Sequence, residues 1–433
     1  MKVFIYILWL IIFLLFIKKI SFFKDKYLNL KKIYFLFIIK IIISFVVVGI
    51  YTYYYHERKN SDIFKYYDDA IILHNSFYSN KSDFLKMLTG INDNDEHLNI
   101  YYNKMNFWIK PYQFEIINEN KTLIRINALL MFVSYNNYFV NVLFFVFLSF
   151  IGLFAMYKTL SQFLNTNQTL FAFLIFLTPS TLFWSSAILK EALILFFLGF
   201  SIYFLNSYFN NRKISRLLLF ILFYILLFPS KSYIFLISIP AFSTLITLHF
   251  KPKLNKILTF AIIHILFFFL FFFSEYFLPY DFSQITVTKQ HNFIKMAEQY
   301  NAGSKIQIPI LENSIKSFIL NTPQALINSF LRPFIWEAHN PLAILAAIEN
   351  VLVIAYITLL IFFFKKVQLN NWILFSFSFS TSLLILIGLT TPVLGAIVRY
   401  KIPALPFVIF AIFSFFNFEK FTYNFKNIWK KQF

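Results

Sequence analysis

Apolar positions in this chain neither alternate with polar ones nor recur only every three or four residues. They run together over stretches close to the ~20 residues a helix needs to cross a bilayer. The runs begin with Val3 to about Phe23, Ile33 to Tyr55, Tyr138 to Tyr157, Leu170 to about Ser186, Ala192 to Tyr208 and Leu217 to Phe228. They continue with Tyr233 to Phe250, Ile257 to Leu278, Leu342 to Phe364, Trp372 to Leu389 and Ile402 to Phe418. The pattern predicts an all-α integral membrane protein with about eleven transmembrane helices, because a helix satisfies its own backbone groups where no water can. Val3 to Phe23 has no small-residue cleavage site and ends in a basic cluster, so it reads as a retained anchor rather than a signal peptide. Only short polar breaks separate the two runs around Pro179 and the two around Pro229. Two longer polar stretches, residues 56–127 and 279–341, are expected to be loops containing helices, within a single polytopic membrane domain over residues 1–433.

Charge gives the map a direction. Lys18 to Lys32, Lys158, Arg212 to Arg216, Lys251 to Lys256, Lys365 to Lys366 and Lys420 onward hold nineteen basic residues against Asp25 and Glu419 alone. Connections that collect positive charge near span ends are cytoplasmic. The opposite side carries both long loops, with fourteen basic and fourteen acidic residues, so these loops and the amino terminus are expected outside. The formal charge of +20 then follows from topology and calls for no nucleic-acid partner.

Composition narrows the chemistry. Only 13% of residues are charged, against about a quarter in soluble domains, too few to cover a soluble surface. With 64 Phe against 7 Gly, Phe does much of the work Leu does elsewhere, and glycine-rich phosphate loops or dinucleotide fingerprints are excluded. The absence of Cys removes disulfides, thiolate metal sites and a Cys nucleophile. No repeat of 20 to 50 residues is visible and the halves do not mirror each other, which disfavours a transporter.

Several clusters can carry chemistry. In the first loop Asp62, Tyr66 and Asp69 fall at i, i+4 and i+7, one face of a helix, with Asp68 beside them. An acid there can take a proton from a hydroxyl acceptor, or simply solvate the loop. Asp93, Asn94 and Asp95 match D-x-D, a pattern able to hold a divalent metal on a diphosphate; an ordinary polar loop tip is the alternative, and no cofactor is required. Lys190 and Glu191 stand at an outer span boundary, where ionisable groups are costly unless they pair, snorkel or line a cavity. Lys231, after Pro229, reads alike. The second loop ends in an aromatic, charged stretch from Phe330 through Arg332 and Trp336 to Pro341, suited to an interfacial helix. The last outer turn carries Arg399 and Lys401 on the side that normally lacks cations. An Arg fork grips phosphate in a way Lys does not. His264 and Lys40 lie within spans and stay outside the candidate site.

Asp68, Asp69 and Ala70 after an early span, and Arg399, Tyr400, Pro403 and Pro406 before the end, resemble the GT-C superfamily of membrane glycosyltransferases. The resemblance covers the layout of the chain, with one additional span before the acidic loop. It implies a sugar taken from a polyprenyl-phosphate-linked donor and passed to a glycan, lipid or protein acceptor in cell-envelope assembly, at the extracytoplasmic face of a bacterial cytoplasmic (inner) membrane. It also implies catalytic acids among Asp69, Asp68 and Asp62, and lipid-phosphate binding by Arg399, Lys401, Lys190 and Arg332. A polymerase of lipid-linked repeat units and, from a different class, a lipid-linked glycan flippase or transporter are the alternatives.

The sidedness is tested by single cysteines at Ser82 and Asn301 in this cysteine-free chain. Both should react with an impermeant thiol reagent on intact cells; reaction only after permeabilisation would overturn the map.

Overall fold

The computed structural model describes residues 1–53, 58, 61–109 and 117–424; Lys426, Lys430 and Lys431 of the last basic cluster lie outside the described residues. The first helices are α1 (Lys2–Lys19), α2 (Leu30–Tyr53), α3 (Asp62–Ser79), α4 (Lys81–Thr89), α5 (Asn99–Tyr102), α6 (Asn120–Ser134), α7 (Tyr138–Leu160), α8 (Gln168–Leu177) and α9 (Pro179–Trp184). They are followed by α10 (Lys190–Asn211), α11 (Ile214–Ser230), α12 (Ser232–Phe250), α13 (Lys256–Phe272), α14 (Phe282–Gln299), α15 (Ile315–Phe330), α16 (Pro341–Phe362), α17 (Asn371–Thr390), α18 (Leu394–Tyr400) and α19 (Leu405–Ser414). Two isolated β-bridges are the only β pairing among the described residues.

Helix starts follow local capping chemistry. Side chains of Asn80, Asn255, Asp281, Ser314, Asn340 and Asn370 each accept from backbone N–H groups of the first turn of α4, α13, α14, α15, α16 and α17, filling donors that have no partner within the helix. Helix α4 stops at Gly90, whose φ of 81° suits a left-handed cap.

Six described helices are long and apolar enough to cross a membrane: α2, α7 with the turn extending it to Phe163, α10, α12, α16 and α17. A seventh is added if α18 and α19, bent by 68°, form one span. The protein is thus an all-helical chain with the make-up of a multi-pass membrane protein. The sequence reading of eleven spans is finer than this. The other four runs also lie on helix, but α1 carries three lysines in 18 residues, α11 and α13 have 17 residues each and α8 has 10.

The chain divides into two compact units, Met1–Met156 with Leu182–Phe235, and Tyr157–Thr181 with Leu236–Phe433. In the first, α7 and α10 meet backbone to backbone. A Cβ on Gly152 would overlap the Leu195 carbonyl, and one on Gly199 the Gly152 carbonyl. Lipid tails are as apolar as side chains, so helices in a membrane associate through close packing of this kind. Rings fill the rest: Phe13 stacks on Phe147 at 4.2 Å, and Trp9 Nε1 donates to the Val133 carbonyl at 3.0 Å. Helix α3 packs against α4 and α6.

In the second unit a Cβ on Gly388 of α17 would overlap the Ala325 carbonyl of α15. Residues 304–306 are strapped antiparallel to 392–394 by Ile306 N to Pro392 O at 2.8 Å and Leu394 N to Ser304 O at 2.9 Å. The buried Gln290 of α14 donates to the Leu389 carbonyl at 2.6 Å and accepts from Leu311 N–H at 2.7 Å. The segment 279–341 is thereby fixed to the turn that carries Arg399 and Lys401.

Gly152→Ala should destabilise the protein by about 1–3 kcal/mol, the usual cost of overpacking. Gly49→Ala, where a Cβ meets nothing within 4 Å, should be neutral or stabilising by up to about 1 kcal/mol. Thermal denaturation in detergent of the two variants measures the difference.

Candidate functional site

The acidic face of α3 is turned inward. Tyr66 and Asp69 are 3% and 0% exposed, so the face shared by Asp62, Tyr66 and Asp69 is a packing face at two of its three positions. Tyr66 Oη donates to Asn120 Oδ1 at 3.2 Å. Asp69 Oδ1 accepts from the Asn106 backbone N–H at 2.7 Å and its side-chain amide at 3.2 Å, while Oδ2 accepts from Phe107 N–H at 2.7 Å. Burial pushes the Asp69 carboxyl above its ordinary value despite these donors. Asp69 therefore anchors the 106–107 segment, and both its oxygens are committed to that task. Asp68, one helical step away, points outward and is gripped by Arg58 Nε at 3.0 Å and Nη2 at 2.5 Å. Asp62 opens α3 and is half-buried.

The two carboxylates of the D-x-D triplet part company. Asp93 accepts from Lys121 Nζ at 2.9 Å and Arg125 Nη2 at 3.4 Å, whereas Asp95 accepts from Lys86 Nζ at 2.6 Å. Among the described residues no group of three or more His, Cys, Asp or Glu side chains can hold a metal ion.

A deeper cluster lies at the ends of α10 and α12. Glu119, just before α6 and 1% exposed, accepts from Lys190 Nζ at 3.2 Å and Lys231 Nζ at 2.8 Å through Oε2. Its Oε1 accepts from Ser232 N–H at 3.0 Å and Ser232 Oγ at 3.1 Å. Lys190, for which pairing, snorkelling or lining a cavity was expected, is here paired across the fold with Glu119. Farther along, Lys40, fully buried in α2, donates to Ser185 Oγ at 2.6 Å, and Ser149 Oγ donates to the Ser185 carbonyl at 2.7 Å.

The second unit gathers another set. Arg332 donates through Nε to Glu337 Oε1 at 2.8 Å and through Nη1 to Asn328 Oδ1 at 3.1 Å, and Nη2 also contacts Glu337 Oε1. Burial acts to raise the Glu337 carboxyl, but Arg332 and the Phe334 N–H outweigh it and hold it below the usual range. Lys401, 2% exposed, donates to Asn350 Oδ1 at 2.8 Å, and Asn350 Nδ2 donates to the Pro333 carbonyl at 3.1 Å. One asparagine thus joins Lys401 to the residue after Arg332. Arg399 sits half-buried at the end of α18, two residues before Lys401. Beside Asn350, Glu349 accepts from Ser180 N–H at 2.6 Å.

Of the sequence candidates, Lys401 reaches through Asn350 the residue after Arg332, and Lys190 pairs with Glu119. Glu119 and Asn350 were missed. Glu119 lies 71 residues from Lys190 and 112 from Lys231, and no local signal marks such a partner. Comparison with known protein families, with characterised proteins and with solved structures gives no match, so the chemistry is argued from these residues alone.

Asp69→Asn places an amide donor where at least one N–H already points, and should cost about 1–3 kcal/mol of stability. Asp68→Asn breaks a partly exposed ion pair, with side chains 54% and 34% exposed, and should cost at most about 1 kcal/mol. Melting curves of both variants in the same detergent test the contrast; equal losses would remove the anchoring role of Asp69.

Proposed function

We propose that this chain is a membrane glycosyltransferase of GT-C type. It would take a sugar from a polyprenyl-phosphate-linked donor and deliver it to a glycan, lipid or protein acceptor outside the cytoplasmic (inner) membrane of a bacterium. The proposal includes eleven spans, with residues 56–127 and 279–341 on the outer side. The observation that carries it is the Lys401–Asn350–Pro333 link, which ties Lys401 to the residue after Arg332. Cations inside a membrane protein are costly unless they face a partner or a polar cavity, and here the buried Lys401 is tied through Asn350 to the segment that follows Arg332, with Arg399 two residues from Lys401. Lys401 donates to the neutral amide of Asn350, and the neighbouring Glu349 carboxylate also acts on it. A donor phosphate would compete with these partners for the Lys401 ammonium.

In this reading the sugar is transferred by direct displacement with inversion. An aspartate accepts the acceptor hydroxyl's proton while the cations stabilise the charge that develops on the lipid phosphate. The filled oxygens of Asp69 support a positioning role for it, which leaves Asp62 and Asp68 as the acids for the base. A polymerase of lipid-linked repeat units would use the same residues on a diphosphate. Lys40 supports a second reading, that of a lipid-linked glycan flippase. It is fully buried within an apolar 24-residue helix, and intramembrane cations mark transport pathways as well as catalytic sites.

Donor affinity in Arg399→Lys, Arg399→Ala and Lys401→Ala separates these readings, with Lys305→Ala as the control. Loss of a charge-assisted hydrogen bond should weaken donor binding by about 10- to 100-fold in each Ala variant, and Arg399→Lys should not restore it. Asn at Asp62 or at Asp68 should reduce sugar transfer by about 10² to 10⁴ at one of the two positions. Unchanged donor binding across the series would shift the reading to the flippase.

A further inference from the structure

Two basic connections, far apart in the chain, meet on one cluster of rings. Residues 18–32, from the end of α1 to the start of α2, hold six lysines against Asp25, and residues 212–216, where α10 turns into α11, hold Arg212, Lys213 and Arg216 with no acid. Phe22, in the first of these stretches, lies 5.6 Å from the Phe200 ring and 5.3 Å from the Tyr203 ring, both on α10. Phe200 stacks on Phe204 at 5.6 Å, and the Arg216 guanidinium lies over the Phe204 ring at 5.7 Å. We infer that this joint basic surface is a seat for the phosphate headgroup of an anionic phospholipid, whose acyl chains cover the apolar residues set among the cations.

Topology accounts for the sign of this charge, but not for its gathering on one ring cluster. Charge complementarity supports the assignment first. Lys26, Lys31 and Lys213 are exposed and Arg216 is half-buried, while the one acid of the two stretches, Asp25, uses Oδ1 to hold its own turn, accepting from Tyr27 and Leu28 N–H at 2.8 and 2.9 Å. Arg216 is steadied by the ring beneath it, and a guanidinium fork suits phosphate oxygens. Depth is the second support. Helices α2 and α10 are both long and apolar enough to cross a membrane, so the ends that carry these cations stand at headgroup level, where basic clusters beside span ends recognise anionic lipids. The third separates a lipid from a soluble polyanion. Ile20, Tyr27 and Ile214 are 39%, 40% and 64% exposed among the cations. A soluble polyanion would leave them in water, whereas acyl chains cover them while the lysines extend to the phosphates. Which leaflet is meant rests on the sidedness proposed above, but the seat itself needs no sugar transfer, so either can fail alone.

Native mass spectrometry of the full chain, released from nonionic detergent, counts the lipids retained after equal exposure to phosphatidylglycerol and phosphatidylcholine. The wild type should hold phosphatidylglycerol several-fold more strongly. Each cation near a charged lipid strengthens binding about five-fold. Lys26→Gln with Lys31→Gln, and separately Lys213→Gln with Arg216→Gln, should therefore each weaken phosphatidylglycerol retention by about ten-fold or more. Lys251→Gln with Lys253→Gln removes equal charge from another basic connection and should leave the preference unchanged. In the wild type, a photoreactive phosphatidylglycerol analogue should attach to peptides covering residues 18–32 and 212–216 ahead of 251–256. Absence of a preference in the wild type, an equal loss in the control pair, or even labelling of all three connections would overturn the proposal and reduce the surface to general positive charge.

Discussion

A polar group drawn into a bundle whose outside is lipid has no water to fall back on, and must find its partner within the protein. The rest of this structure is arranged around that demand. Lys40 reaches Ser185 from the middle of α2, Glu349 takes the Ser180 N–H, and Gln290 uses the two ends of its amide to tie the Leu311 N–H to the Leu389 carbonyl. Glu119 answers two lysines and the start of a helix together. Each of these contacts spans a long stretch of chain, so satisfying a buried polar group also fixes which helices become neighbours.

Packing follows from the same solvent. Burial of apolar surface does little to hold helices together when the surroundings are equally apolar, and close approach of backbones replaces it. Gly152 with Gly199 in one unit, and Gly388 against Ala325 in the other, are positions where a side chain would occupy the neighbour's carbonyl. The abundant phenylalanines fill the remaining volume as ring-on-ring contacts, such as Phe13 with Phe147 and Phe375 with Phe407. Their number reflects a filling role rather than a site.

The charged clusters differ in what they leave for chemistry. Arg332 is matched by Glu337 in a two-toothed contact, and Asp69 is saturated by backbone donors; both are well suited to holding a loop in place. Lys401 is held by the Asn350 amide with the Glu349 carboxylate acting on it as well, and Lys190 and Lys231 both reach the Glu119 carboxylate. The strap between residues 304–306 and 392–394 keeps the turn bearing Arg399 and Lys401 in register with the segment ending at Arg332.

The sequence by itself determined the all-helical, membrane-spanning character, because run length and capping are local; six or seven of its apolar runs become helices long enough to cross a membrane among the described residues. Twenty apolar residues have one stable form in lipid, and Asn255, Asp281, Ser314, Asn340 and Asn370 mark helix starts within one turn of themselves. It also picked out Lys190, Lys231, Arg399 and Lys401, since a cation at a span end is conspicuous in a chain so poor in charge, and Arg332 through the aromatic stretch that ends the second loop. Only the tertiary structure decided their roles. Asp68 and Asp69 are identical neighbours in sequence, and the helical phase alone sends one to Arg58 and the other into the Asn106–Phe107 backbone. The i, i+4, i+7 pattern marked a face without saying whether it looked inward. Glu119 carries no local mark at all: its importance comes from the lysines that long-range folding brings to it, and a partner more than seventy residues away is a property of the packed bundle, not of any window along the chain.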